Sequence, residues 1–208
     1  LEMLRTERLL EKFEDYVKKR IELAKREVVR LESEGVMLAA AEHYVRRLTQ
    51  VLSIFEDAGG DIAGAFRALQ DGGKVEILAS AATHGYLPLL ETDDAVRAQL
   101  DIGVRLYEEV FGRPVRGFWL PECAYRPGLD TLVTEAGIRY VIFETHGITS
   151  ARPRPRAGVH EPLELPSGLV AFGRDPESSR EVWSSEVGYP GDPLYRELYR
   201  DIGFDGDY

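Results

Sequence analysis

The sequence predicts an α/β fold: a helical block followed by parallel strands alternating with helices. Three observations predict it. Over residues 1–70 the apolar side chains recur at a helical period. At Asp71-Gly72-Gly73 that pattern gives way to short apolar runs bounded by Gly, Pro and Asp. From there, strand and helix patterns alternate at the spacing of βαβ units, the local signature of a parallel sheet. With 208 residues, 44% of them hydrophobic, the chain suffices for one large domain or two small ones with a buried core.

Residues 1–34 read as one long helix. Leu4, Leu9, Leu10, Phe13, Tyr16, Val17, Ile21, Leu23, Ala24, Val28 and Leu31 follow a period near 3.6, and charges fill the opposite face. Gly35 reads as the C′ glycine that ends it. A second helix runs from about Val36 to Phe55, with Leu38, Ala41, Tyr44, Val45, Leu48, Val51, Leu52 and Phe55 inward. Gly59-Gly60 breaks it, and Asp61 caps a third, short helix through Ala63, Phe66 and Leu69.

Val75-Glu76-Ile77-Leu78-Ala79 then reads as a strand, and Ser80 to Pro88 as a loop. Asp93 or Asp94 caps a helix that Phe111-Gly112-Arg113-Pro114 stops. Residues 115–120 form a buried strand, which Pro121 must end because it has no N–H for a ladder. Gly128-Leu129-Asp130 opens a helix ended by Gly137. Residues 138–143 are the next strand. Residues 148–166, with Arg152-Pro153-Arg154-Pro155-Arg156, read as an extended excursion, either a plain surface loop or a lid. Residues 169–173 make a further strand. A short helix or turn follows over Ser178–Val182, then a strand-end loop from Trp183 to Gly191. Leu194, Tyr195, Leu198 and Tyr199 suggest a final amphipathic turn. The chain does not begin with methionine and stops in mid-pattern at Tyr208, so both ends read as cut.

Composition narrows the function classes. A net charge of −10 argues against a nucleic-acid partner, whose footprint would be basic. No apolar run approaches the roughly 20 residues of a membrane span, and no signal peptide opens the chain. The one cysteine, Cys123, forms no internal disulfide and suits a cytoplasmic protein. No Walker loop or Gly-x-Ser-x-Gly elbow is present. The absence of His-x-x-x-His, His-Glu-x-x-His and paired-cysteine spacings argues against a metal, and no cofactor is expected.

The strand ends collect Thr83-His84, Glu122, Glu144 with His146, Arg174-Asp175 and Trp183. In a parallel α/β sheet or barrel these share the rim where active sites sit. Glu122 follows Pro121 directly. It reads either as a catalytic carboxylate or as a loop residue pairing with Arg126. His84 reads either as a ligand contact or as a loop histidine bonded to backbone. Aromatic rings with carboxylates and a guanidinium on one rim suit a sugar. Cys123 reads as a small buried hydrophobe.

Gly117-Phe118-Trp119-Leu120-Pro121-Glu122-Cys123-Ala124-Tyr125-Arg126-Pro127 resembles the nucleophile segment of glycoside hydrolase family 57. The likeness is closest to its members that branch 1,4-α-glucans. Ala82 to Leu90 resembles that family's histidine loop. Gly173-Arg174-Asp175 and Val182 to Gly191 resemble its substrate-contact segments. The resemblance covers essentially the whole chain.

It implies an incomplete distorted (β/α)7 barrel over residues 1–208, with residues 1–70 as a helical insertion. It also implies a retaining glucan transglycosylase that cleaves α-1,4 and forms α-1,6 linkages. Glu122 would be the nucleophile that carries the covalent glucosyl group. His84, Arg174, Trp183 and Gly191 would bind an α-glucan. The family's acid/base is an aspartate downstream of Tyr189-Pro190-Gly191, and its first strand carries a His-x-His-x-Pro motif. Both would lie outside these residues, leaving the piece by itself inactive. The 148–164 loop has no tyrosine at its tip, unlike that of the branching members. An α-amylase or 4-α-glucanotransferase of the family, and a glucan-binding barrel without catalysis, are the alternatives.

Overall fold

The computed structural model of the chain describes residues 1–33 and 35–191. In chain order the α-helices and strands are α1 (Glu7–Arg30), α2 (Gly35–Asp57), α3 (Ile62–Asp71), β1 (Ala79–Ser80), α4 (Asp93–Phe111), β2 (Gly117–Trp119), α5 (Leu129–Glu135), β3 (Tyr140–Phe143), α6 (Thr145–Thr149), β4 (Leu163–Glu164), β5 (Val170–Gly173) and α7 (Pro176–Trp183). They fall into two compact units. Among the described residues, one is Leu1–Ile77 with Arg105–Pro114; the other is Leu78–Val104 with 115–191.

In the helical unit, α1 packs beside α2. Val17, Ile21 and Ala24 are buried on α1, and Ala41 and Phe55 on α2. The Phe13 and Phe55 rings lie 5.1 Å apart. The buried stripe is narrower than the sequence pattern: Tyr16 and Tyr44, both expected inward, are exposed. Gly35 opens α2 rather than ending α1, which stops at Arg30 and places Leu31 as its C-cap. Asp61 caps α3 as expected, its Oδ1 accepting the Gly64 N–H at 2.8 Å.

The expected strand over 75–79 shrinks to Ala79–Ser80. Two polar side chains take the backbone groups of Ile77 that a sheet would have used. Gln70 Oε1 accepts its N–H at 3.1 Å. The Tyr107 hydroxyl stands 3.1 Å from both Ile77 O and Gln70 Oε1, and donates to one of them.

The second unit is built on a sheet of order β1-β2-β3-β5-β4. The first four pair in parallel, and β4 joins β5 antiparallel. Phe118, Val141 and Ala171 are fully buried at its centre, and Val96, Leu100, Leu129 and Val133 bury the helices between the strands. Gly117 is dictated by packing: a Cβ there would meet the Tyr140 ring at 2.2 Å. Thr92, not Asp93 or Asp94, caps α4, accepting the Ala95 N–H at 3.2 Å. The two aspartates occupy the first turn, where the helix dipole favours negative charge. The 148–166 excursion begins in α6 and ends in the edge strand β4. Trp183 closes α7 instead of lying in a strand-end loop, because Asp175 caps that helix through the Ser178 N–H at 2.8 Å and Pro176 starts it. The amphipathic turn expected over Leu194–Tyr199 lies outside the described residues.

Candidate active site

Strand β2 ends where Pro121 forbids a further ladder bond, and the chain folds into a 3₁₀ turn, Pro121–Cys123. Glu122 and Cys123 both take left-handed backbone angles, φ 56° and 52°. Each costs a non-glycine residue about 1–2 kcal/mol. The turn is held by Cys123 N–H donating to Leu120 O at 2.8 Å, and by Glu144 N–H donating to Cys123 O at 3.3 Å. Pro121 and Cys123 are buried on either side, while the Glu122 side chain is 72% exposed. The strain therefore lifts one carboxylate out of a buried strand end. Arg126, its alternative partner from the sequence, pairs with Asp93 at 2.8 Å.

Among the described residues the only other non-glycine with positive φ is His84, at 56°. Its loop leaves β1, whose Ser80 is in register with Trp119 of β2, so both loops emerge at one edge. Gln99 on α4 holds the loop, accepting the N–H of Ala82 on its backbone oxygen and that of Thr83 on its side chain, each at 3.0 Å. His84 Nδ1 is 3.5 Å from Ser80 Oγ, which donates to Trp119 O at 2.9 Å. His84 Nε2 stands 3.6 Å from Glu122 Oε1, ion-pair distance when the ring is protonated. Strained backbone concentrated on two facing side chains is the pattern of a functional site.

Arg174 leaves the end of β5. Its backbone N–H donates to Phe143 O at 3.0 Å, and its Nη1 donates to Glu144 Oε2 at 2.8 Å. The Cys123 thiol is pushed up by burial, with the neighbouring Arg174 acting against the shift. That argues for an inert side chain rather than a nucleophile. Glu144, Thr145, His146, Thr149, Arg174, Arg180 and Trp183 line a cleft of about 560 Å³, within the usual size of small-ligand sites. Trp183 is 75% exposed on its wall.

The structure thus brings together His84 with Glu122, and Arg174 with Trp183. The second group joins the first through Cys123 and Glu144. Gly191 ends a separate 3₁₀ turn, Tyr189–Gly191. Among the described residues no group of three His, Cys, Asp or Glu is placed to hold a metal. Nor is any helix long and apolar enough to cross a membrane. Sequence reasoning missed Arg180 and Ser179 on the cleft. The signal was the spacing of Pro176, Ser179, Arg180 and Trp183, which is one face of a helix.

A carboxylate and a histidine raised on strained turns at the ends of adjacent parallel strands define an enzyme-type α/β scaffold. The chain belongs to glycosyl hydrolase family 57, whose sequence model matches residues 4–203. The mixed α/β sheet unit, with its four parallel strands, is consistent with the fold of that family's solved members. A 1,4-alpha-glucan branching enzyme of Thermococcus kodakarensis is 34% identical over 96% of this chain and 33% of its own length. The crystal structure of the alpha-amylase AmyC from Thermotoga maritima is 43% identical with a TM-score of 0.87, over 99% of this chain and 40% of that one. That of a branching enzyme from Pyrococcus horikoshii is 38% identical with a TM-score of 0.82, over 96% and 39%. The chain spans about a quarter to a third of the length of the curated 1,4-alpha-glucan branching enzymes it matches.

Proposed function

We propose that the protein carrying this chain is a retaining α-glucan transglycosylase, a 1,4-α-glucan branching enzyme, with Glu122 as nucleophile. The observation that carries the reading is the Glu122 carboxylate, raised on a left-handed turn at the end of β2 and facing His84 at 3.6 Å. A Glu122 oxygen attacks the anomeric carbon of the donor as the α-1,4 bond to the leaving chain breaks. The leaving oxygen takes a proton from a second carboxyl group, about 5–5.5 Å from the first in retaining enzymes. By the family resemblance this is an aspartate beyond Gly191, outside these residues. A 6-hydroxyl of another glucan chain then displaces Glu122, returning its proton to that second group and forming the α-1,6 link. His84 binds the sugar beside the scissile bond, Trp183 stacks on the glucan, and Arg174 and the backbone at Gly191 take hydroxyls. Residues 1–70 are an insertion of the barrel domain. We place the protein in the cytoplasm, in glycogen-type synthesis, where Cys123 stays reduced.

In the full-length protein, Glu122→Gln abolishes turnover. Azide restores activity to Glu122→Ala on an activated glucoside. Near-normal turnover in Glu122→Gln would refute the assignment. Hydrolysis or disproportionation is the second reading. It is favoured by the likeness to AmyC and by the tip of the 148–164 loop, which lacks a tyrosine. Product linkage decides: new α-1,6 bonds, released by a debranching enzyme, support branching, and their absence supports hydrolysis or disproportionation.

A further inference from the structure

We infer that Glu144 is a positioning residue that aims the Arg174 guanidinium at the glucan; this rests on the reading of Arg174 as a substrate contact. Glu144 follows the last residue of β3 and engages both halves of the candidate site. Its backbone N–H donates to Cys123 O at 3.3 Å, bracing the turn that presents Glu122. Its carboxylate makes two further bonds. Oε1 accepts the Thr145 N–H at 3.1 Å, which fixes the carboxylate's orientation at the start of α6. Oε2 accepts from Arg174 Nη1 at 2.8 Å.

Thr145 completes the link, its hydroxyl donating to Arg174 O at 2.9 Å. Arg174 is therefore held at its backbone by Phe143 and Thr145, and at its head by Glu144. The pair is only partly exposed, 23% for Arg174 and 32% for Glu144, and both line the cleft that Trp183 walls. A long flexible side chain set in advance loses less entropy when it binds a hydroxyl. Only the carboxylate limb depends on the side chain of residue 144. The backbone bond that braces the Glu122 turn is available to any residue there except proline. Loss of the carboxylate should therefore weaken sugar binding and spare the chemical step.

The test is a double-mutant cycle in the full-length protein: Glu144→Gln, Arg174→Ala and both together. It reads kcat and KM on a soluble glucan, and the Kd of a linear maltooligosaccharide by calorimetry. Glu144→Gln should raise KM and Kd about tenfold with kcat within about twofold. In the Arg174→Ala background it should cost almost nothing more. Should Glu144→Gln fail to fold, Glu144→Asp carries the test. It keeps the charge but stops one methylene short, and should raise KM a few-fold, again without additivity to Arg174→Ala. Additive effects, or a fall in kcat at unchanged KM, would overturn the positioning role. Surviving turnover in Glu122→Gln would instead overturn the nucleophile assignment, and the Kd cycle would still decide the role of Glu144.

Discussion

Replacing Gly103 by alanine sets helix propensity against a backbone contact. Gly103 lies inside α4, where alanine is worth about 1 kcal/mol over glycine. Its Cβ, however, would stand 2.3 Å from the Ser80 carbonyl oxygen and 3.4 Å from Ala82 N. Carbon and oxygen ordinarily approach to about 3.3 Å, so helix and strand end must part by about 1 Å. Both sides of the contact are backbone, and no side-chain rotation relieves it. Overpacking of this kind costs about 1–3 kcal/mol. With rigid backbone on both sides the cost lies in the upper part of that range, about 2–3 kcal/mol, so the net loss is about 1–2 kcal/mol, which lowers Tm by about 2–8 °C in a chain of this size. Gly147 is the matched control. It too is helical, but its Cβ would meet only the Phe143 side chain at an ordinary 3.8 Å. Gly147→Ala should therefore stabilise by about 0.5–1 kcal/mol. The assay is thermal unfolding of the two variants beside the wild type. A Tm for Gly103→Ala at or above the wild-type value would refute the close approach of α4 to β1. Since Ser80 also bonds Trp119 O and borders His84, the same variant should disturb the histidine loop.

Two further predictions follow from the sheet unit. Burial tends to raise the Asp130 carboxyl, but hydrogen bonds from Ser167 and Tyr125 outweigh it and hold Asp130 below its ordinary range. Its contribution to stability is present above the unfolded value of about 3.9 and is lost as pH falls through the folded one. Asp130→Asn should cost about 1–3 kcal/mol near neutrality, and the gap should narrow in urea titrations as pH falls below about 3.9; a gap that does not change with pH would count against this. Trp183→Ala removes a side chain that is 75% exposed. Stability should change by less than about 0.5 kcal/mol, while affinity for a maltooligosaccharide falls about 3–10-fold. Unchanged affinity would remove Trp183 from the site.

The residue pattern was a good guide wherever local chemistry acts alone. Asp61 caps a helix because its short side-chain oxygen reaches an N–H three residues on. Pro121 ends β2 because it has no N–H to donate. The stretch from Gly117 to Pro127 also carried the family likeness. The pattern misled where long-range partners decide. Ile77 looked like strand, but Gln70 takes its N–H and the Tyr107 hydroxyl stands 3.1 Å from its carbonyl oxygen. Tyr44 looked inward, yet it is exposed on a helix that buries Ala41 and Phe55.

The sequence by itself determined the α/β class and the strand that ends just before Glu122. Those rest on period, proline and short motifs, which neighbouring residues fully specify. Only the tertiary structure decided that Glu122 faces His84 at 3.6 Å, that both sit on left-handed backbone, and that Glu144 holds Arg174 at 2.8 Å. Each of these depends on strand register and on bonds between segments 30 or more residues apart, which no local pattern encodes.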